Sequence, residues 1–271
     1  RENTNKNHSL VFRHNLSYIR KIGRDDNLGI YFRHSVSNKS PDLLISTDLM
    51  PIVIDSIGFF NLKQNHRTKV QNFQIYGIYN HLLNNTSNLR FKAGANFSWQ
   101  RLNNKIYEDD TLIASPLFMS DSDFDFTEIY ADLTYTKKIG AFKFDAGVGL
   151  HNFRENTHTV NDAHALRLTK LLPHASLQIR PNNAQNINLS YSQQYKLPNL
   201  SDLSDGYEIQ NYYSVYSGFL GLQPSLYHNG NVTYGYFNSF NFLNFYLGVN
   251  YSRIINNFQS QSDMSQMPQH N

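Results

Sequence analysis

The chain has 271 residues, a net charge of +3, no cysteine, 17% charged residues, and 19 Phe and 18 Tyr. A charge this small, carried by dispersed basic residues, excludes a nucleic-acid partner, and the missing thiols exclude disulfide frameworks and thiolate metal sites. No apolar run is long enough for a transmembrane helix.

Period-two alternation of apolar and polar residues runs from end to end. It sets in at 9–20 and 28–37 and returns at 70–81. The segment 38–66 between them, which holds ISTDLMPIVIDSIGFF, is either a further hairpin or a folded loop. The cleanest strand is NLRFKAGANFSWQ: Leu89, Phe91, Ala93, Ala95, Phe97 and Trp99 oppose Arg90, Lys92, Gly94, Asn96, Ser98 and Gln100. Strands follow at 127–137, 141–151, 170–180, 187–196, 229–237 and 242–252, which makes ten. No 3.6-residue period competes over a comparable length.

The connections alternate as regularly as the strands. Short ones at 22–27, 84–88, 137–140, 181–185 and 237–241 carry turn residues suited to tight hairpins. Long ones lie at 38–66, 101–125, 155–166, 197–227 and from 257 onward. Such alternation is the layout of a transmembrane barrel, with short periplasmic turns and long extracellular loops. A soluble sandwich also alternates, with its apolar face inward, but its strands usually run five or six residues. A tilted strand needs roughly 9–11 residues to cross a bilayer, and several strands here alternate for that long. Phe12, Tyr18, Trp99, Tyr135, Tyr195 and Tyr251 fall near strand ends, where interfacial aromatic girdles form. The expectation is therefore an all-β, antiparallel transmembrane β-barrel, with lipid against the apolar faces. Because Arg1 follows no leader-like segment and the last residues are polar, the chain is expected to be about ten strands of a larger barrel.

Across the end of the 187–196 strand and the opening of the fourth long connection, Tyr191, Ser192, Pro198, Leu200 and Leu203 form a Tyr-Ser-x5-Pro-x-Leu-x-x-Leu pattern. Gly221, Leu222 and Pro224 in GLQPS then precede the strand HNGNVTYGY. This region, about 65 residues from LLPHASLQIR onward, resembles the barrels of TonB-dependent outer-membrane receptors. It departs from their pattern at Leu197, where Arg is common, at Ser225, where Glu is usual, and in lacking an Asn-Pro before GLQPS. The resemblance implies uptake of a scarce solute: a siderophore complex, a cobalamin-like cofactor, an oligosaccharide or a peptide. It also implies a plug domain elsewhere in the parent chain and a TonB-type energy-transducing partner acting through it. The alternatives are a passive porin or adhesin barrel and, further off, a soluble all-β binding protein.

Pro198 and Pro224 read as strand boundaries, since proline removes a ladder donor. Tyr207, Tyr212, Tyr213 and Tyr216 cluster in the loop between them and are candidate ligand contacts, because an aromatic with a hydroxyl can both stack and hydrogen-bond. Asp121, Asp123 and Asp125 are spaced like calcium ligands but lack the Gly and closing Glu of an EF-hand, so they read as a solvated acidic loop. His151, His158 and His164 lack a metal-binding spacing. No nucleophile motif, phosphate loop or dinucleotide fingerprint is present, so neither an enzyme nor a cofactor is expected.

Overall fold

The computed structural model describes residues 2–23, 25–46, 52–54, 57–59, 61–115, 118–160, 162–204, 206–211, 214–238, 240 and 242–257. Ten long strands make one antiparallel sheet: β1 (Glu2–Ile22), β2 (Asp26–Ser46), β5 (Asn61–Asn84), β6 (Ser87–Glu108), β8 (Met119–Ile139), β9 (Phe142–His158), β10 (Ala163–Ile179), β11 (Gln185–Lys196), β14 (Ser225–Asn238) and β15 (Leu243–Ile255). The two-residue β7 (Thr111–Leu112) pairs with the end of β6. Two small hairpins stand apart, β3 (Ile52–Ile54) with β4 (Ile57–Phe59) and β12 (Glu208–Asn211) with β13 (Ser214–Tyr216). The helix α1 (Leu200–Leu203) lies just after β11. Within the sheet each strand pairs with its neighbours in chain order, as a meander must, and no register joins β1 to β15 among the described residues. The ten predicted strands are all present, in an open sheet that forms part of a barrel.

Most strands run well past their predicted ends. Alternation suggested about a dozen residues for β6, and the strand has 22. The segment 38–66 is mostly the continuation of β2 and β5, tipped by the β3–β4 hairpin. The predicted long connection at 155–166 is instead a tight turn, closed by the Thr159 N–H donating to the Asp162 carbonyl at 2.8 Å. In these three places described residues of the expected long loops extend the strands.

Register shows why. Opposed residues in an antiparallel ladder share a face, so Ala95, Ile129 and Asn152 lie on one side and Gly94, Tyr130 and His151 on the other. In the half nearer the short turns, the outward side is apolar and open: Phe91, Ile129, Leu133, Phe144, Val148 and Leu150 are all exposed. The inward side there carries Lys92, Asn96, Asp132, Asp145 and His174. In the half nearer the long loop the polarity reverses. Arg101, Lys105, Asp121, Asp123 and Arg154 face outward, whereas Leu102, Ile106, Phe124 and Phe153 face inward and are at most 4% exposed. The apolar residues change face without any break in the strand. Outward apolar positions therefore form a belt of limited height, as a bilayer requires.

The belt gives a direct test. Ala146 lies at its middle on β9, and Ser190 faces inward on β11. Ala146→Arg should cost about 2–4 kcal/mol of folding free energy in lipid vesicles, and Ser190→Arg under about 1 kcal/mol. Urea titration with the protein in bilayers reads both, and equal costs would contradict a lipid-facing Ala146.

Candidate functional site

The loop between β11 and β14, residues 197–224, does not stand free above the sheet. It folds onto the inward face of β5, β6 and β8 and supplies the partners for the apolar residues found there. Leu200 and Leu203 project from α1 into a cluster with Leu102 and Phe124, flanked by Leu220 and Leu222. Ile209 enters a second cluster with Ile45, Leu62, Ile106 and Phe118, against which Tyr207 packs. Fully burying a Leu or Ile side chain stabilises by about 1.5–3 kcal/mol, so the two clusters hold the loop down firmly.

Polar contacts set its register. The Gln64 side chain acts as a surrogate strand neighbour: its Nε2 donates to the Ile209 carbonyl at 3.2 Å and its Oε1 accepts from the Ile209 N–H at 2.7 Å. Asn104 Nδ2 donates to the Tyr207 carbonyl at 2.9 Å, and the Ser120 and Ser204 hydroxyls are hydrogen-bonded to each other. His66 Nδ1 lies 3.5 Å from Glu208. At the foot of the loop the Asn199 N–H donates to the Asp202 carboxylate at 3.0 Å, which closes the start of α1. The returning chain then satisfies the end of that turn, with the Gly218 and Phe219 N–H groups donating to the Ser204 and Asp202 carbonyls, both at 2.7 Å. Position 218 has no room for a side chain, since a Cβ there would lie 2.5 Å from the Asp202 carbonyl oxygen.

The residues singled out in the sequence divide among distinct places. Tyr191 and Ser192 remain on β11, with the Tyr191 hydroxyl 2.9 Å from His228 Nδ1. Leu200, Leu203 and Leu222 meet in one cluster. Pro198 and Pro224 are buried just outside the ends of β11 and β14, and Gly221 is exposed between them. Tyr207 is half-buried, its ring 6.0 Å from that of Phe118. Tyr216 donates to Asp202 Oδ1 at 3.1 Å, and burial together with that carboxylate pushes its phenol up to about 12. Tyr212 and Tyr213 lie outside the described residues. Asp121, Asp123 and Asp125 face outward on β8, where Arg101 engages the first two at 3.2 and 3.7 Å. His151 faces inward, His158 is exposed on the outward side and His164 is half-buried, so the three do not converge.

Tyr195 differs from its expected place in an outward girdle. The β10–β11 ladder stops at His174 opposite Ser192, and beyond it β11 leaves its neighbour. Tyr195 then packs on Phe153 at 6.1 Å and lies 5.6 Å from the Lys170 ammonium, both inward-facing groups.

Below the loop the inward wall is densely hydrogen-bonded. His151 bridges Glu128 at 2.7 Å and Asp132 at 3.3 Å, Asn96 donates to Glu128, and His174 meets Thr134 at 3.0 Å. The Lys92 ammonium sits over the Tyr130 and Tyr76 rings at 4.7 and 5.1 Å. A cleft of about 420 Å³ opens between this cluster and the departing end of β11. The cluster has no counterpart in any short motif; alternation placed its members on one face, and only register brought them together. Among the described residues no group of His, Cys, Asp and Glu is placed to hold a metal ion.

An open antiparallel sheet with an outward apolar belt and a polar inner wall defines the class: an outer-membrane β-barrel wall. Residues 5–268 match the outer membrane protein beta-barrel family, and the chain belongs to it. The protein is accordingly located in the outer membrane of a Gram-negative bacterium. A search of curated proteins gives no match. Among solved structures it is similar to the siderophore receptor PiuA from Acinetobacter baumannii, at 10% identity and a TM-score of 0.57 over 91% of this chain and 40% of that one. It is also similar to the ferric yersiniabactin uptake receptor FyuA from Yersinia pestis, at 11% identity and a TM-score of 0.53 over 85% and 34%. A third is the ferric citrate transporter FecA, at 9% identity and a TM-score of 0.54 over 84% and 32%. The chain thus spans roughly a third of the length of these receptors, and at such identities the likeness is one of fold.

Two outcomes follow from the loop's anchors. Gln64→Leu leaves the buried Ile209 N–H without its acceptor and should loosen the loop by about 1–3 kcal/mol. Faster hydrogen exchange at the Ile209 amide would register that, and unchanged protection would show that the contact is dispensable. Glu155, some five residues beyond the belt on β9, is buried with one carboxylate oxygen unpartnered, and burial raises its carboxyl to about 7, the Thr157 hydroxyl opposing this weakly. An acid with a raised folded-state value binds its proton more tightly when folded, so its contribution is complete below the ordinary value of 4.5 and is lost as pH rises to about 7. Stability should fall across that window, and Glu155→Gln should flatten the fall; an unchanged slope in the variant would rule Glu155 out as its source.

Proposed function

We propose that this chain is barrel wall and loop of a receptor for TonB-dependent uptake of a scarce solute. The observation that carries the reading is the 197–224 loop, whose motif leucines anchor it across the inner wall rather than leaving it in the medium. A passive pore gains from an unobstructed lumen, whereas a receptor needs wall and loop surfaces that hold a solute before energised release. The fold shared with PiuA, FyuA and FecA supports the same reading, and a siderophore complex is the first substrate class to test. An oligosaccharide, peptide or cobalamin-like cofactor is the next.

In this reading the solute meets the loop carrying Tyr207, Tyr212, Tyr213 and Tyr216, and a plug domain of the parent chain fills the space faced by Lys92, Glu128, His151 and His174. A TonB-type partner pulls on that plug, and no bond in the solute is made or broken. The wall residues hold polar contacts that can be exchanged between plug, water and solute at small net cost, because each already has a partner in the wall.

Uptake of radiolabelled ferric siderophores into cells carrying the full-length protein, compared with cells lacking it, is the test. Uptake should require the protein and should stop when the proton-motive force is dissipated. Entry that persists without that force would establish a passive barrel instead.

A further inference from the structure

On the outward face of β9 and β10 the register stacks three cross-strand pairs: Leu150 opposite Leu171, Asn152 opposite Thr169, and Arg154 opposite Arg167. The two leucines end the apolar belt and are 51% and 64% exposed. Asn152 Nδ2 donates to Thr169 Oγ1 at 2.8 Å, which leaves a neutral polar rung above them. The next rung sets two exposed guanidinium side chains directly against each other. Like charges in that position repel, and a fold retains them at a cost unless an anion lies between them.

No described residue supplies that anion. Among the described residues neither arginine has an ion pair. The acids on the same face belong to β8, where Arg101 holds Asp121 and Asp123, and Asp125 is opposite Asn156. Glu155, next in sequence to Arg154, is buried on the inward face. β10 has no second ladder partner at this height, because its pairing with β11 ends at His174.

Residues on one face of a strand repeat every 6.6 Å or so, which puts the arginine rung about 13 Å above the leucine rung. Apolar, neutral hydrogen-bonding and cationic groups thus follow one another outward from the belt. An anionic lipid has the same order, from acyl chain through ester or amide linkage to phosphate. Guanidinium groups bind phosphate oxygens through paired, directional hydrogen bonds, and two of them facing each other make a clamp. We propose that Arg154 and Arg167 together bind the phosphate of an anionic outer-leaflet lipid whose acyl chains lie along Leu150 and Leu171. The site is continuous with the lipid-facing belt and independent of what the barrel transports.

The full-length protein in neutral detergent, titrated with dioleoyl phosphatidic acid and followed by native mass spectrometry, provides the test. Arg154→Gln and Arg167→Gln should each weaken binding roughly 5-fold, and the double variant roughly 30-fold. Dioleoylglycerol, which lacks the phosphate, should bind wild type and double variant alike. Equal phosphatidic acid binding by wild type and double variant would overturn the proposal. So would displacement of the lipid by an equal concentration of inorganic phosphate, since the acyl chains would then contribute nothing. Thermal unfolding without added lipid guards against a folding defect. The double variant should melt no lower than wild type, its like-charge contact being gone, and a lower midpoint would reveal an internal partner and sink the idea.

Discussion

In hydrocarbon there is no water to receive a backbone N–H or carbonyl, and this requirement shapes everything else in the protein. Each strand must be paired along the whole depth of the membrane, which leaves an antiparallel meander as the economical solution for a chain rich in tight turns. The ladder satisfies it for the strands between β1 and β15, and those two end strands are paired on one side among the described residues. Once the ladder exists, side chains have only two directions, and the solvent on each side decides their chemistry. Lipid takes Phe91, Ile129, Val148 and Leu150. The inner wall takes Lys92, Glu128, Asp132 and His151, where His151 is hydrogen-bonded to both carboxylates and the Lys92 ammonium sits over the Tyr130 and Tyr76 rings.

Above the belt the same strands serve a different purpose. Their outward face meets water and is charged, and their inward face becomes a docking surface for a loop. The 197–224 loop needs such a surface, because a four-residue helix and a two-strand hairpin cannot bury enough apolar area by themselves. The wall lends it Leu102, Ile106 and Phe124, and in return the loop covers apolar residues that would otherwise face a wet lumen. Gln64 and Asn104 add directional hydrogen bonds, so the loop has one register rather than a loose apolar contact. Stability of the loop and shape of the inner wall are therefore one problem with one solution.

This reversal also explains how far the fold could be read from residues alone. In β6 the apolar phase runs on odd positions from Leu89 to Trp99, then passes to Leu102 and Ile106 on even ones. A period-two signal that shifts by one residue cancels itself, so the strand seemed to stop at the shift although its backbone continued. The same happens in β8, between Phe126 and Ile129, and in β9, between Leu150 and Phe153. Strand number, order and lipid-facing residues were legible because one solvent acts along the belt. Strand ends, the tight turn after β9 and the place of Tyr195 were not, because each depends on a partner distant in sequence.

Alternation, turn spacing and composition by themselves determined an all-β antiparallel barrel wall of ten strands with lipid on its apolar side, since period two and bilayer thickness are local constraints. The proline-leucine pattern marked where a special loop begins and ends. Only the tertiary structure decided that Leu200, Leu203 and Ile209 turn inward onto the wall, that His151 meets Glu128 and Asp132, and that Arg154 confronts Arg167. Those meetings are set by register between strands, and register is a property of the assembled ladder that no single strand contains.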